Sequence, residues 1–470
     1  MGVAEAVPQA QTSPDMPFKK VFAWGAATAA YQIEGNTHAD GRGESVWDDY
    51  CLRTGRTKEG QSGDVACDHY KRYKGDVALM GEIGLRAYRF SVAWPRVMPE
   101  GRGKVNEAGL AFYDHLVDEL LGAGIEPWLT LFHWDYPLPL YREGGWLNPD
   151  SPRWFEDYAR VVVDRLSDRV AHWITLNEPQ CFVGLGLLAG TQAPGEKMPT
   201  GQALVAAHHA LVAHGLAVQV IRSRAKKPPL IGIAPTGEVG IPATESADDI
   251  AAGRENHWAV TGDSLFNMAW WTDPLFKGGY PEQGLRAFGS AVPSFPEADF
   301  RTIRQPLDFL GLNIYHGNNV RRGPTGAAEV VARPVGDPRT HYAWPVAPGA
   351  LYWGPKFAYE RYGVPIVITE NGMANLDWVS LDGRVHDPQR IDYLTRYIRE
   401  LRRAADEGVP MLGYFTWSLF DNFEWSDGYR YRFGLVHVDY STQVRTLKDS
   451  ALWYRDVILS NGASLGAGSA

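Results

Sequence analysis

The chain predicts a parallel α/β fold closed into a barrel, and three observations carry that expectation. Short runs rich in apolar and β-branched residues recur eight times along the 470 residues. Longer stretches with helical periodicity separate them, which is the pattern of strands joined by crossover helices. The Gly-x-Gly-x-x-Gly turn that an open doubly wound sheet carries after a strand is missing from these positions.

The strands are expected at 22–27, 87–93, 126–133, 172–176, 230–234, 309–315, 366–369 and 412–417. Between the second and third, Leu110, Tyr113, Leu116, Val117, Leu120 and Leu121 fall at i, i+3, i+4 spacing, so 109–121 reads as an amphipathic helix. The stretch 154–166 reads the same way, ahead of the fourth strand. Trp24, Trp94 and Trp173 lie in or beside these elements, and with Trp47 they are taken as packing. Arg222, Arg224, Lys226 and Lys227 run up to Pro228, where a helix ends, and there cations suit the helix C-terminus.

Composition narrows the function. With 45% hydrophobic residues the chain can bury a large core, and no uninterrupted apolar run approaches the roughly 18 residues of a membrane span. A net charge of −9 argues against a nucleic-acid partner and favours a small neutral ligand. Three cysteines, Cys51, Cys67 and Cys181, show no Cys-x-x-Cys spacing, so neither a disulfide framework nor a zinc site is expected, and a reducing, cytoplasmic setting is. His208, His209 and His214 share one segment without a metal-binding pattern and read as surface and half-buried helix residues; no metal or cofactor is expected. The expected division is a flexible leader at 1–17, one barrel at 18–457 and a flexible tail at 458–470. A homo-oligomer is compatible with this reading.

Two runs point to chemistry. Thr175-Leu-Asn-Glu-Pro179 and Ile368-Thr-Glu-Asn-Gly372 each place a glutamate, Glu178 and Glu370, just after an expected strand. In parallel barrels active sites sit at the C-terminal ends of the strands. Cleavage of a glycosidic bond needs one carboxylic acid to protonate the leaving oxygen and one ionised carboxylate at the anomeric carbon.

Further motifs accompany the pair: Tyr31-Gln-Ile-Glu-Gly35, His133-Trp-Asp135, Asn313-Ile-Tyr315 and Trp417-Ser-Leu-Phe-Asp-Asn-Phe-Glu-Trp425. Together, in this order, they resemble glycoside hydrolase family 1, the β-glucosidase family, from about Phe18 to Tyr454. The resemblance implies a (β/α)8 barrel and a retaining mechanism through a covalent glycosyl-enzyme. It gives Glu178 the acid/base role and Glu370 the nucleophile role, with Tyr315 touching the nucleophile. It assigns Gln32, His133, Asn177, Glu424 and Trp425 to the sugar hydroxyls, Trp417 to the sugar face and Trp344 to the aglycone. The implied substrate is a terminal, non-reducing β-D-glucosyl residue, with galactosyl and fucosyl residues also accommodated. Glu424 would repel a 6-phosphate, so an unphosphorylated sugar is expected.

Departures from the family pattern are Ile314, Pro345 and Gln192, the last read as structural or peripheral. A non-catalytic sugar-binding protein on the same barrel typically lacks one of the two glutamates, and a thioglucosidase usually has Gln at the acid position; Glu178 and Glu370 are both present. A transglycosylase shares the same residues and is not separated by sequence.

Overall fold

The computed structural model describes residue 18, residues 21–262 and residues 264–466. The expected leader at 1–17 lies outside these residues. Eight parallel strands follow one another in chain order: β1 (Ala23–Ala27), β2 (Ala87–Ser91), β3 (Glu126–Phe132), β4 (His172–Asn177), β5 (Leu230–Ala234), β6 (Leu310–Asn313), β7 (Ile366–Asn371) and β8 (Met411–Trp417). β1 pairs with both β2 and β8, so the sheet curls round on itself. The ring closes between β5 and β6, where Thr236 bridges Asn313 and the Asn313 N–H donates to the Pro235 carbonyl at 3.0 Å. Each expected strand coincides with an observed one, and the fold is the (β/α)8 barrel.

β2, β6 and β7 are buried along their whole length. That is the condition of strands covered by helices outside and by side chains in the lumen, and it explains why they read as continuous apolar runs. The helix expected at 109–121 is Glu107–Gly122; it buries Leu110, Tyr113, Leu116, Val117 and Leu120, whereas Leu121 is 38% exposed and faces outward. The second expected helix is Ser151–Leu166, opened by Pro152 in its first turn. Among the described residues one helix, Thr200–Arg224, is long and apolar enough by composition to cross a membrane, but 78% of its most apolar stretch is buried inside the protein. It packs as a wall of the barrel. Its histidines partly correct the expectation of surface and half-buried positions: His209 is half-buried, its Nδ1 meeting the Trp146 carbonyl at 2.8 Å, but His208 and His214 are buried, the latter bonded to Thr175 Oγ1 at 2.6 Å on β4.

Structure beyond the simple barrel includes a two-stranded antiparallel pair after β8, Val436–Val438 with Arg445–Leu447, and a larger addition in the segments after β5 and β6. Val239–Pro242, Gly317–Arg322 and Ala328–Val330 form a small three-stranded sheet there. The expected tail also departs from expectation over its described part, residues 467–470 lying outside the described residues. Residues 458–466 pack rather than hang free: Trp24 Nε1 donates to Asn461 Oδ1 at 2.9 Å, Arg399 donates to the Leu465 carbonyl, and Leu465 is 2% exposed. A short polar segment with Gly and Ser reads as linker, yet one leucine and one amide anchor it.

Leu465→Ala is therefore expected to lower unfolding stability by about 2 kcal/mol, as for a buried leucine at the edge of a core. Urea unfolding measures it; a change within about 0.5 kcal/mol, the range of an exposed site, would restore the tail reading.

Candidate active site

The site forms where β4 and β7 end, and both ends are irregular. The β4–β5 register shifts between Ile174 and Asn177, and the β7–β6 register shifts between Ile368 and Glu370. Such bulges re-aim side chains at strand ends. Glu178, the next residue after β4, has φ 45°, a left-handed conformation that costs a non-glycine residue on the order of 1–3 kcal/mol. Its N–H donates to the Ala234 carbonyl at 2.8 Å, which holds the turn in place. After Glu370 the chain passes so close to β8 that a Cβ on Gly372 would overlap the Trp417 carbonyl oxygen, so that position requires glycine.

Arg89 organises the centre. It lies on β2 with 0% exposure, and Nη1 donates to Glu370 Oε1 at 2.7 Å. Nη2 donates to Asn177 Oδ1 at 2.5 Å, Nε to Thr130 Oγ1 at 3.2 Å, and Nη1 also to the Thr369 carbonyl at 3.0 Å. The other oxygen of Glu370, Oε2, accepts from the Tyr315 hydroxyl at 2.6 Å. Glu178 has a different environment: Oε1 accepts from Asn313 Nδ2 at 2.8 Å and Oε2 from Cys181 Sγ at 3.4 Å, with no cation in contact.

These surroundings separate the two acids. Burial, followed by the charge of Glu370, pushes Glu178 up to about 8, against the weaker pull of Asn313, Cys181 and Arg89. Burial raises Glu370 as well, but Arg89 and the Tyr315 hydroxyl oppose it and favour its ionised form. Glu178 is thus the member that keeps its proton. His133 is held neutral by burial and by the nearby Arg89 charge, and its Nε2 meets Asn177 Nδ2 at 3.0 Å.

A cavity of about 150 Å³ opens above the pair. Glu178, Glu370, His133, Tyr315, Trp344, Trp417, Glu424 and Trp425 all line it. Gln32 and Asn177 stand behind the lining, fully buried: Gln32 Nε2 donates to Asn422 Oδ1 and the Phe423 carbonyl, both at 2.9 Å, on the segment that carries Glu424. Trp425 is wedged between Trp47 and Trp134, with ring centres 4.5 and 4.4 Å away. Trp47, expected to be packing, is therefore the backing of a site residue. Trp344 leans on Tyr315 and Tyr342 at 5.0 and 4.4 Å.

Two expectations change. Gln192 is not peripheral: it lines the cavity, and its Oε1 accepts from Ser426 Oγ at 2.8 Å. The carboxyl of Glu424 is pushed well above the usual range by burial and by Asp427, Glu370 and Glu178, so charge repulsion by Glu424 is a poor ground for rejecting a phosphate. The better ground is the lining itself, which contains no Lys or Arg among the described residues. Sequence reasoning missed Arg89, Cys181, Thr236 and Glu238, and quoted Asn313 only within a motif. A charged residue inside an apolar strand run was the one available signal, and it pointed to Arg89.

A barrel that leaves one buried carboxyl without a paired cation and gives its neighbour an arginine and a tyrosine hydroxyl, beneath an aromatic-walled cavity, defines a glycosidase-type centre. Comparison with known proteins agrees. The sequence profile of glycosyl hydrolase family 1 matches residues 15–463. Beta-glucosidase A of Thermotoga maritima is 45% identical over 446 residues, covering 95% of this chain and 98% of the relative. The bifunctional beta-D-glucosidase/beta-D-fucosidase of Bifidobacterium breve is 41% identical over 477 residues, covering 95% of this chain and 99% of its own. Among solved structures, the beta-glucosidase from Thermotoga maritima in complex with glucoimidazole superposes with a TM-score of 0.87 at 44% identity, covering 95% of this chain and 100% of that one. The chain belongs to glycosyl hydrolase family 1 and is an enzyme.

Replacing Tyr315 by Phe removes the donor to Glu370 Oε2 and so raises that carboxyl's proton affinity. With Glu370 as the ionised member of the pair, the acidic limb of the kcat/KM profile is expected to move to higher pH. An unmoved limb would show that the hydroxyl does not support the ionised state.

Proposed function

We propose that this enzyme removes terminal, non-reducing β-D-glucosyl residues from oligosaccharides or aryl and alkyl glycosides by double displacement. The observation that carries the reading is the split between the two buried carboxyls: Glu370 is paired with Arg89 and Tyr315, while Glu178 is raised to about 8 without a paired cation. In the first step Glu370 attacks the anomeric carbon as Glu178 passes its proton to the departing oxygen. In the second, Glu178, now ionised, takes a proton from water, which attacks the anomeric carbon and displaces Glu370. Neutral Tyr315 and cationic Arg89 favour release of Glu370 as a carboxylate.

The sugar is held by atoms that find no partner among the described residues. Gln32 Oε1, His133 Nδ1 and Glu424 Oε2 are buried and unbonded, a state that polar atoms rarely occupy without a functional reason. Trp417 supplies an apolar face beside them, and Trp344 with Tyr342 walls the aglycone side. The name of the Bifidobacterium relative supports fucosides as additional substrates. The cation-free lining supports an unphosphorylated sugar. Three unpaired, buried cysteines support a reducing, cytoplasmic setting.

Glu370→Gln should leave the fold intact and nearly abolish turnover. Glu178→Ala should lose about 10²–10⁴-fold on poor leaving groups yet still form the glycosyl-enzyme from an activated aryl glycoside, and added azide should restore turnover as β-glycosyl azide. Equal losses on good and poor leaving groups, without rescue, would remove Glu178 from the acid role. Because Glu178 must be protonated in the first step, kcat/KM should fall as pH rises through about 8. Rates on aryl β-glucoside, β-galactoside, β-fucoside and cellobiose test the glycone; inactivity on every β-glucoside would contradict the reading.

A further inference from the structure

The geometry points to Thr369 as a positioning residue that acts through Asn313 on the proton donor Glu178. This inference rests on the acid/base reading above and adds a residue to it. Thr369, Asn313, Asn177 and Arg89 are all buried, so each hydrogen-bonding atom must find its proper counterpart. A guanidinium can only donate, and Arg89 Nη2 lies 2.5 Å from Asn177 Oδ1; the Asn177 atom facing it is therefore the carbonyl oxygen. The Asn177 amide NH2 then turns to His133 Nε2 at 3.0 Å, which leaves the neutral ring's proton on Nδ1.

The same logic passes to Asn313. It faces two acceptors, Asn177 Oδ1 at 3.0 Å and Glu178 Oε1 at 2.8 Å, so its NH2 must point at them. Its carbonyl then points to Thr369, whose hydroxyl donates to it at 2.6 Å. Among the described residues no other side-chain donor reaches that oxygen. Thr369 precedes Glu370, and its own carbonyl accepts from Arg89 at 3.0 Å. One residue beside the nucleophile thus sets the amide that serves the acid, on a different strand.

Without the hydroxyl, the Asn313 carbonyl is left buried and unpaired, and the amide moves off Glu178 to relieve it. The ionised form of Glu178 loses a donor and the acid weakens. The substitution leaves in place the other titratable and charged groups around Glu178: Glu370 on β7, Arg89 on β2, Cys181 in the following helix, Tyr315 after β6 and Glu424 after β8, with Glu238 in the same cavity lining.

The test is the pH dependence of kcat/KM for Thr369→Val, which keeps the β-branched shape, with Thr369→Ser, Thr369→Ala, Asn313→Ala and the Thr369→Val/Asn313→Ala double variant, each checked for folding by near-UV circular dichroism. Thr369→Val and Thr369→Ala should move the alkaline limb up by about half a pH unit and slow poor leaving groups more than activated ones. Thr369→Ser should restore both. In the Asn313→Ala background the valine substitution should add no further shift, since Thr369 acts through that amide. A Thr369→Val limb that coincides with the unaltered enzyme, or a shift that persists without Asn313, overturns the inference while leaving the acid assignment standing. Loss of the alkaline limb in the unaltered enzyme itself would instead contradict the assignment of Glu178 and the inference with it.

Discussion

The site depends on the Arg89–Glu370 ion pair, buried at the barrel axis with side-chain exposures of 0% and 4%. Two charges withdrawn from water cost several kcal/mol each, and their attraction offsets this only when the remaining donors and acceptors are also satisfied. Arg89 meets that condition, since Nε, Nη1 and Nη2 are all committed to Thr130, Thr369, Glu370 and Asn177. The pair therefore does more than neutralise Glu370. Because a guanidinium only donates, it fixes which way the Asn177 and Asn313 amides point and which nitrogen of His133 carries the proton. It also explains why Glu178 is the carboxyl that stays protonated: Arg89, the cation within reach among the described residues, is already engaged by its neighbour.

A second buried network braces the loops that complete the cavity. Lys448, 0% exposed, bridges Asp377 and Asp421 at 2.6 Å each. Arg390 joins Asp377 at 2.6 Å and also engages Asp387, and Arg432 reaches Asp421 at 2.7 Å. Three carboxylates meet three cations, so the cluster carries no net charge into the interior. Asp377 follows β7 and Asp421 follows β8. Directly beyond Asp421, Asn422 accepts from Gln32, and Glu424 and Trp425 enter the cavity. The cavity-lining groups after β8 are thus tied to the segment after Glu370, and a site held by packed and hydrogen-bonded supports keeps its geometry.

What could be read in advance was local. Barrel strands are buried on both faces, so 366–369 and 230–234 show as apolar runs, and the helix at Glu107–Gly122 shows as a spacing of apolar side chains. Glu178 and Glu370 were legible because each terminates such a run. Arg89 stood out only as a charge within a strand run; its meaning was not legible, because its partners come from β3, β4 and β7, far away in sequence. Gln192 was read as structural or peripheral and Cys181 was missed for a related reason: both follow β4, Cys181 in the helix Gln180–Ala189, and their place at the cavity is set by partners distant in sequence. The packing of residues 458–466 was hidden by composition, since Ser, Asn and Gly look like linker until Asn461 and Leu465 find their partners. The three-stranded sheet beyond β5 and β6 depends on pairings between separate segments that no single run reveals.

The central claim is that Glu178 and Glu370 work as a pair in two displacements, and stereochemistry tests the pair directly. Retaining enzymes hold their carboxyls about 5–5.5 Å apart, with no space for a water beneath the sugar, whereas inverting enzymes leave about 6.5–9.5 Å for one. Proton NMR of a β-glucoside digest follows the first anomer released. The account predicts β-glucose first, with α-glucose appearing only through slow mutarotation. Initial release of α-glucose would contradict the double displacement and the role of Glu370 as nucleophile.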